Sequence, residues 1–318
     1  MIRAPLDLPA TGRGRKEALM SSISPDDQPS LWGDAGPPIP ERLPLPVPDS
    51  DRRLLQVNGH PVRIGTSGFS FPDWDGAFYP PGLPASRRLG FYARYFPAVE
   101  INSTYYGIPG PRMLAQLAEK SPLDLEFVIK AHQSMTHEFG AAPQIYDEFL
   151  RAIEPIRESG RFHGILAQFP WRFRRTPEAE RQLDEIQSRF AGLPLFAEFR
   201  HSSWAEEDVL DSLASRGIGY CSVDEPALEG LMPRVARATT DVAYVRLHGR
   251  NAKTWWGRGE GDRYDYDYRP EELKEWVQKI RELAERAKKT YVFFNNCHAG
   301  QAARNARLMM DMLQGDLG

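Results

Sequence analysis

Charged side chains sit in this chain where an apolar sequence has no structural need of them. Glu100, Lys130, Glu198, Arg200, Asp224 and Arg246 lie within or directly beside short apolar runs, where an unpaired charge costs about several kcal/mol of lost hydration. Such charges need partners, either each other or a ligand. An Arg fork grips a phosphate or carboxylate in bidentate fashion, and a carboxyl or imidazole of adjusted pKa transfers protons. These residue types point to acid–base chemistry on an anionic substrate. Arg200, Arg246 and Lys130 form the grip, Glu100 or Glu198 is the acid or base, and His248 is the proton shuttle. Asn102, Tyr105, Gln168, Asp224, Trp255, Asn295 and Asn296 complete the substrate-binding set as hydrogen-bonding or stacking groups. The reaction class is hydrolase or lyase, with nucleic acid admitted among the anions.

The same residues allow other readings. Two carboxylates with aromatic platforms would suit a glycosidase, and a binding barrel without catalysis would use the same pocket. A purely structural network, with Glu198 paired to Arg246, is the bland alternative. Histidines 132, 137, 201, 248 and 298 all follow apolar runs, but no His-x-x-x-His or Cys-x-x-Cys spacing accompanies them. They are expected to hydrogen-bond or to transfer protons rather than to hold a metal. The turn Gly65-Thr66-Ser67-Gly68 lacks the spacing of a nucleotide fingerprint, so the residues name no cofactor. Asn295 to Gly300 leads into the last helical segment and offers either an anion site or ordinary capping.

The elements that must position these side chains are legible as eight β-rich runs, at 62–66, 99–102, 125–130, 164–169, 195–199, 219–224, 243–247 and 291–296. Between them, apolar residues recur at three- and four-residue steps over 111–120, 144–158, 177–190, 205–216, 271–288 and 299–313. That alternation predicts β/α units around a parallel sheet, and its size fits a TIM-like (β/α)₈ barrel, with a doubly wound open sheet as runner-up. In a barrel all eight C-terminal strand ends share one face, and the singled-out polar residues occupy those ends. Pro270 suits the first turn of the 271–288 helix, and Gly217 suits the end of the 205–216 helix. The polar segment Gly249 to Asp267, with Trp255 and Trp256, reads as a lid over the pocket.

The first 55 residues differ in kind. Ten of the chain's 27 prolines precede position 50, a composition that favours solvated, extended backbone, so a disordered tail is expected ahead of a single barrel domain over 56–318. A protein partner for that tail is not identifiable. With 318 residues, 40 basic against 43 acidic, and a net charge of −3, there is no global attraction to nucleic acid or anionic membrane. Cys221 and Cys297, the only cysteines, read as free thiols in a reducing compartment. No apolar stretch of membrane-spanning length is present, and a cytoplasmic protein is expected.

The strings themselves are also familiar. Ile64-Gly65-Thr66-Ser67-Gly68-Phe69 with Trp74 and Phe78-Tyr79-Pro80, then Val99-Glu100-Ile101-Asn102-Ser103-Thr104-Tyr105-Tyr106, resemble the DUF72 or YecE-like family. The resemblance continues through Lys130 with Thr136-His137, Gln168-Phe169-Pro170, Glu198-Phe199-Arg200-His201 with Trp204, and Tyr244-Val245-Arg246-Leu247-His248-Gly249-Arg250. It closes on Phe294-Asn295-Asn296 with Gly300, Asn305 and Ala306. The matching residues span about 62 to 313. The resemblance implies a TIM-barrel-like fold and brings no established reaction, while its matching positions coincide with the strand-end polar residues.

Overall fold

The computed structural model of the protein describes residues 54–257 and 262–315. Nearly all of the Pro-rich segment lies outside those residues, as do four residues of the 249–267 segment.

Eight parallel strands close into a barrel: β2 (His60–Ser67), β3 (Ala98–Ile101), β4 (Glu126–Lys130), β5 (Phe162–Gln168), β6 (Leu195–Glu198), β7 (Ile218–Asp224), β8 (Val242–Leu247) and β9 (Lys289–Phe294). Each pairs with the next, and β9 returns to β2 with Val62 opposite Thr290 and Thr66 opposite Phe294. All eight apolar runs of the sequence are these strands, so the closed barrel displaces the open sheet.

All six helical segments appear within about two residues of their expected bounds, the first five as α3 (Pro111–Glu119), α5 (Pro143–Glu158), α6 (Pro177–Arg189), α7 (Glu207–Ser215) and α8 (Pro270–Arg286). The sixth, α9 (Gln301–Gly315), begins two residues late because Ala299 takes a positive φ of 46°. Pro270 does open α8, and the Glu272 side chain accepts the Arg269 N–H at 3.0 Å to complete a capping box. Gly217 follows α7 at φ 68°, a left-handed position that releases the chain into β7.

Four elements escaped the periodicity. A short β1 (Leu55–Val57) runs antiparallel to β2 across Asn58-Gly59, both at positive φ (52° and 79°), the turn that Asn-Gly favours. Leu55 is buried there, so the ordered domain starts at the last residue assigned to the tail. Helix α1 (Ala85–Tyr92) is eight residues long with Gly90 inside it, too short and too poor in helix formers to declare itself. The single turns α2 (Ser103–Tyr106) and α4 (Gln133–Thr136) follow β3 and β4 directly. No helix joins β7 to β8. Residues 225–241 cross as a loop instead.

Inward-facing side chains fill the barrel in tiers. At the N-terminal end Glu126 accepts Arg63 Nε at 3.0 Å, Lys289 Nζ at 3.1 Å and the Tyr291 hydroxyl. Aromatic rings fill the middle, with Phe196 and Tyr244 centroids 4.6 Å apart and Tyr244 and Phe293 5.4 Å apart. This tier keeps water from the middle of the barrel, and the charged tier at the C-terminal end rests upon it. Most aromatics that follow the strands pack likewise. Phe199 stacks on Trp204 at 4.3 Å, and Trp74 is fully buried beside Phe71, Phe78 and Tyr79.

At Gly65 in β2 a methyl group would overlap the Ala98 carbonyl of β3 and crowd the Tyr92 hydroxyl. Gly65→Ala is therefore expected to cost at least about 2 kcal/mol through strand separation. Urea unfolding checks this, and an unchanged midpoint would show that the β2–β3 seam is looser than described.

Candidate active site

Glu198, the last residue of β6, lies between two guanidiniums. Its Oε1 accepts Arg200 Nε and its Oε2 accepts Arg246 Nη1, both at 2.5 Å. Arg246, at the end of β8, donates its other terminal nitrogen to Glu100 Oε1 at 2.6 Å and to Ser67 Oγ at 3.2 Å. Glu100 in turn accepts the Tyr244 hydroxyl at 2.7 Å. Arg200 extends the chain to Glu225 Oε2 at 3.1 Å, and Glu225 Oε1 accepts the Met232 N–H at 2.9 Å. All five ionisable side chains of this Glu100–Arg246–Glu198–Arg200–Glu225 chain are at most 9% exposed. Alternating signs offset part of the cost of burying charge in that setting.

The pairing sets the proton chemistry. Burial opposes charge on Glu198, but Arg200, Arg246 and His248 outweigh it and hold its carboxyl well below the usual range. Glu225 goes the other way: burial, with nearby Glu198, lifts it to about 7 despite Arg200. His248 Nδ1 faces Arg200 Nη2 at 3.3 Å and Asn295 Nδ2 at 3.0 Å. Both are donors, so Nδ1 is the bare nitrogen, and the ring hydrogen lies on Nε2, 3.4 Å from Glu198 Oε1. Burial and the Arg200 charge push this imidazole down to about 3.

Beside this chain lies a cavity of about 70 Å³ lined by Asn102, Tyr106, Lys130, Gln168, Arg200, Arg246, Tyr264 and Asn295. These come from the C-terminal ends of β3, β4, β5, β6, β8 and β9, or from the turns that follow, as the barrel topology requires. The volume equals roughly two or three water molecules, enough for one compact anionic group. Two of the lining residues keep buried polar atoms with no hydrogen-bond partner among the described residues: Arg246 Nε and Asn102 Oδ1. Lys130 Nζ sits 4.0 Å over the ring of Tyr105, whose hydroxyl pairs with His137 Nε2 at 3.0 Å. Burial and the Arg246 guanidinium lower the Lys130 ammonium to about 7, although Glu198 and Glu100 favour its charge.

Of the residues singled out in the sequence, Asn102, Lys130, Gln168, Arg200, Arg246 and Asn295 line the cavity. Glu100, Glu198, His248 and Tyr105 stand directly behind it. Asp224 does not join them. Alternation along β7 sends Cys221 toward Glu198, at 3.9 Å, and turns Asp224 outward to Trp276, Tyr268 and Arg250. The same period puts Glu225 on the inward face, so it, not Asp224, is the carboxyl that reaches Arg200.

Asn296 is buried and donates to the Tyr266 carbonyl and to Asn305 Oδ1, which ties α9 to the preceding loop without capping it. Trp255, expected in a polar lid, is 2% exposed with Arg200 5.8 Å from its ring, while Trp256 is 43% exposed against Trp171. From the same segment Tyr264 enters the cavity lining. Both cysteines are free. Among the described residues no helix is long and apolar enough to cross a membrane, and no three His, Cys, Asp or Glu side chains gather as metal ligands.

Glu198 lies between two arginines that keep its carboxyl low, and His248, pushed down to about 3, contacts Arg200 and Asn295 through Nδ1. Glu198→Gln is expected to lower unfolding stability by about 3–5 kcal/mol in urea, because both guanidiniums lose a buried counter-charge. A loss below about 1 kcal/mol would mean that the arginines are held otherwise. For His248 the unfolded ring protonates near 6.5 and the folded ring near 3, so the unfolded chain binds the extra proton between those values and stability falls as pH drops through them. In His248→Asn, the proton uptake on unfolding at pH 5.5 should shrink by about one proton; an unchanged slope would place a charged ring in the folded state.

Comparison with known proteins agrees with the fold. The family described as "Protein of unknown function DUF72" matches residues 63–317. The UPF0759 protein YunF of Bacillus subtilis is 31% identical over 269 residues, covering 79% of this chain and 94% of that protein. YecE of Escherichia coli is 25% identical over 185 residues, 55% of this chain and 62% of its own length. A DUF72 family protein from Thermotoga maritima superposes with a TM-score of 0.74 at 42% identity, covering 80% of this chain and 99% of that one. One from Enterococcus faecalis superposes at 0.71 with 27% identity, covering 80% and 95%. A barrel of this topology, matched along almost its whole length, makes the chain a member of the DUF72 family.

Proposed function

We propose that the protein is an enzyme, a hydrolase or lyase, acting on a small phosphorylated or carboxylated substrate at the cavity between Lys130, Arg200 and Arg246. The observation that carries this reading is the buried, unpartnered Arg246 Nε in a cavity that also holds a second guanidinium, an amine and three carboxamides. An unpaired donor of a residue that lines an open space is where the acceptor of a ligand would fit. The arginines supply fixed positive charge with little reorganisation, since Glu100, Glu198 and Glu225 already hold them. Lys130 is the lining group whose proton exchanges near neutrality, so it takes the acid–base role first assigned to the glutamates.

The glycosidase reading is less well supported, because both of its carboxylates are engaged by Arg246. A compact substrate is favoured over nucleic acid because the guanidiniums lie buried at a small cavity, whereas duplex binding displays them on a surface.

An anion in the cavity favours the ammonium form of Lys130, so binding near pH 7 takes up a proton. Calorimetric titration with inorganic phosphate should show affinity falling about tenfold or more from pH 6.5 to 8.5, with proton uptake visible as a dependence on buffer ionisation. Affinity independent of pH, or absent, counts against the site. A parallel turnover screen over phosphate esters and small carboxylates should find a substrate whose kcat drops about 10²–10⁴-fold in Lys130→Met.

A further inference from the structure

We infer that Lys130 is a covalent nucleophile, an amine that condenses with the carbonyl carbon of a small α-oxo acid or aldehyde anion held by Arg200 and Arg246. This rests on the anion-site reading and goes beyond it, because an anion grip alone needs three cations and not a reactive amine. Lys130 differs from its neighbours in what it lacks. Every other cation of this tier has a carboxylate: Arg246 has Glu100 and Glu198, and Arg200 has Glu198 and Glu225. The contact described for Lys130 Nζ is instead the face of Tyr105 at 4.0 Å, and its backbone is pinned by Thr104 Oγ1 donating to the Lys130 carbonyl at 2.6 Å. The amine is thereby held at the cavity on a rigid strand end without a paired carboxylate that would hold it as an ammonium.

The two guanidiniums line the same cavity and Arg246 Nε has no partner there; a carboxylate drawn to them would leave an adjacent carbonyl carbon to face the amine. Asn295 lines the same cavity, and its carboxamide donates once to His248 and retains a second N–H for a carbonyl oxygen. A lysine desolvated near other cations exchanges its proton near neutrality, so even where a bound anion favours the ammonium a share of free amine remains to attack, while surface lysines stay protonated. The step balances without a redox partner. The Nζ lone pair forms the C–N bond, both amine hydrogens leave with the carbonyl oxygen as one water, and a C=N bond replaces C=O. Addition of water reverses it and frees the amine.

The test uses the full chain with glyoxylate as probe and cyanoborohydride as hydride donor, followed by peptide mass spectrometry, with calorimetry of glyoxylate binding in parallel. The inference expects an N-carboxymethyl group at Lys130 at pH 7, formed at least tenfold faster than at any other lysine and suppressed by oxalate. Binding without an adduct at Lys130 overturns the covalent role and leaves the anion site standing. Neither binding nor adduct overturns both, and labelling spread evenly over surface lysines overturns the covalent role. Because the comparison is among lysines of the unaltered protein, it does not depend on a Lys130 variant folding.

Discussion

A buried carboxylate shared between two arginines at the barrel mouth is the interaction on which the site depends. Glu198 holds Arg200 and Arg246 at once, and each arginine has a second acid behind it. Removing any one member leaves a charge stranded in low dielectric, which costs more than the intact pair contributes. The arrangement is therefore stiff. It is also expensive to build, and a barrel of this size could pack the same volume with hydrocarbon. Its presence is intelligible if the fixed guanidiniums do something at the cavity they border.

That cavity is small, and its proton chemistry is split between two groups on opposite sides of Arg200. Glu225 and Lys130 both sit near neutrality, one raised by burial and the other lowered by it. An acid pushed up and a base pushed down in one tier can exchange roles as a negative ligand arrives or leaves. Lys130 lines the cavity, and Glu225 lies behind the Arg200 guanidinium; under the proposed function the lysine meets the substrate and the glutamate compensates charge.

Much of this was legible in the sequence. The eight strands announced themselves because a fully buried parallel strand needs a continuous apolar run, and Val99-Glu100-Ile101 or Tyr244-Val245-Arg246-Leu247 stand out once a charge interrupts it. Convergence of strand ends then followed from topology alone. The side of the strand was harder. Asp224 and Glu225 are neighbours in sequence, and only the period-two register fixed by Cys221 and Trp276 tells which one faces the arginines. Roles were harder still, because whether a buried Glu is a proton donor or a clamp depends on how many guanidiniums it meets. Trp255 was misread for a related reason. Its polar neighbours hid a ring that packs inward beside Arg200, and no period marks a residue in an irregular loop. The Asn58-Gly59 turn, by contrast, was an available hairpin signal that would have moved the start of the domain into β1.

The central claim, that the space between Lys130, Arg200 and Arg246 receives an anion, is tested most directly by the anomalous scattering of selenate in crystals soaked at pH 6.5. The account predicts a selenium peak in the cavity, with its oxygens about 3 Å from Lys130 Nζ and from at least one of the two guanidiniums. A cavity free of selenium, in crystals whose surface arginines carry it, would contradict the account and leave the charged tier as scaffolding.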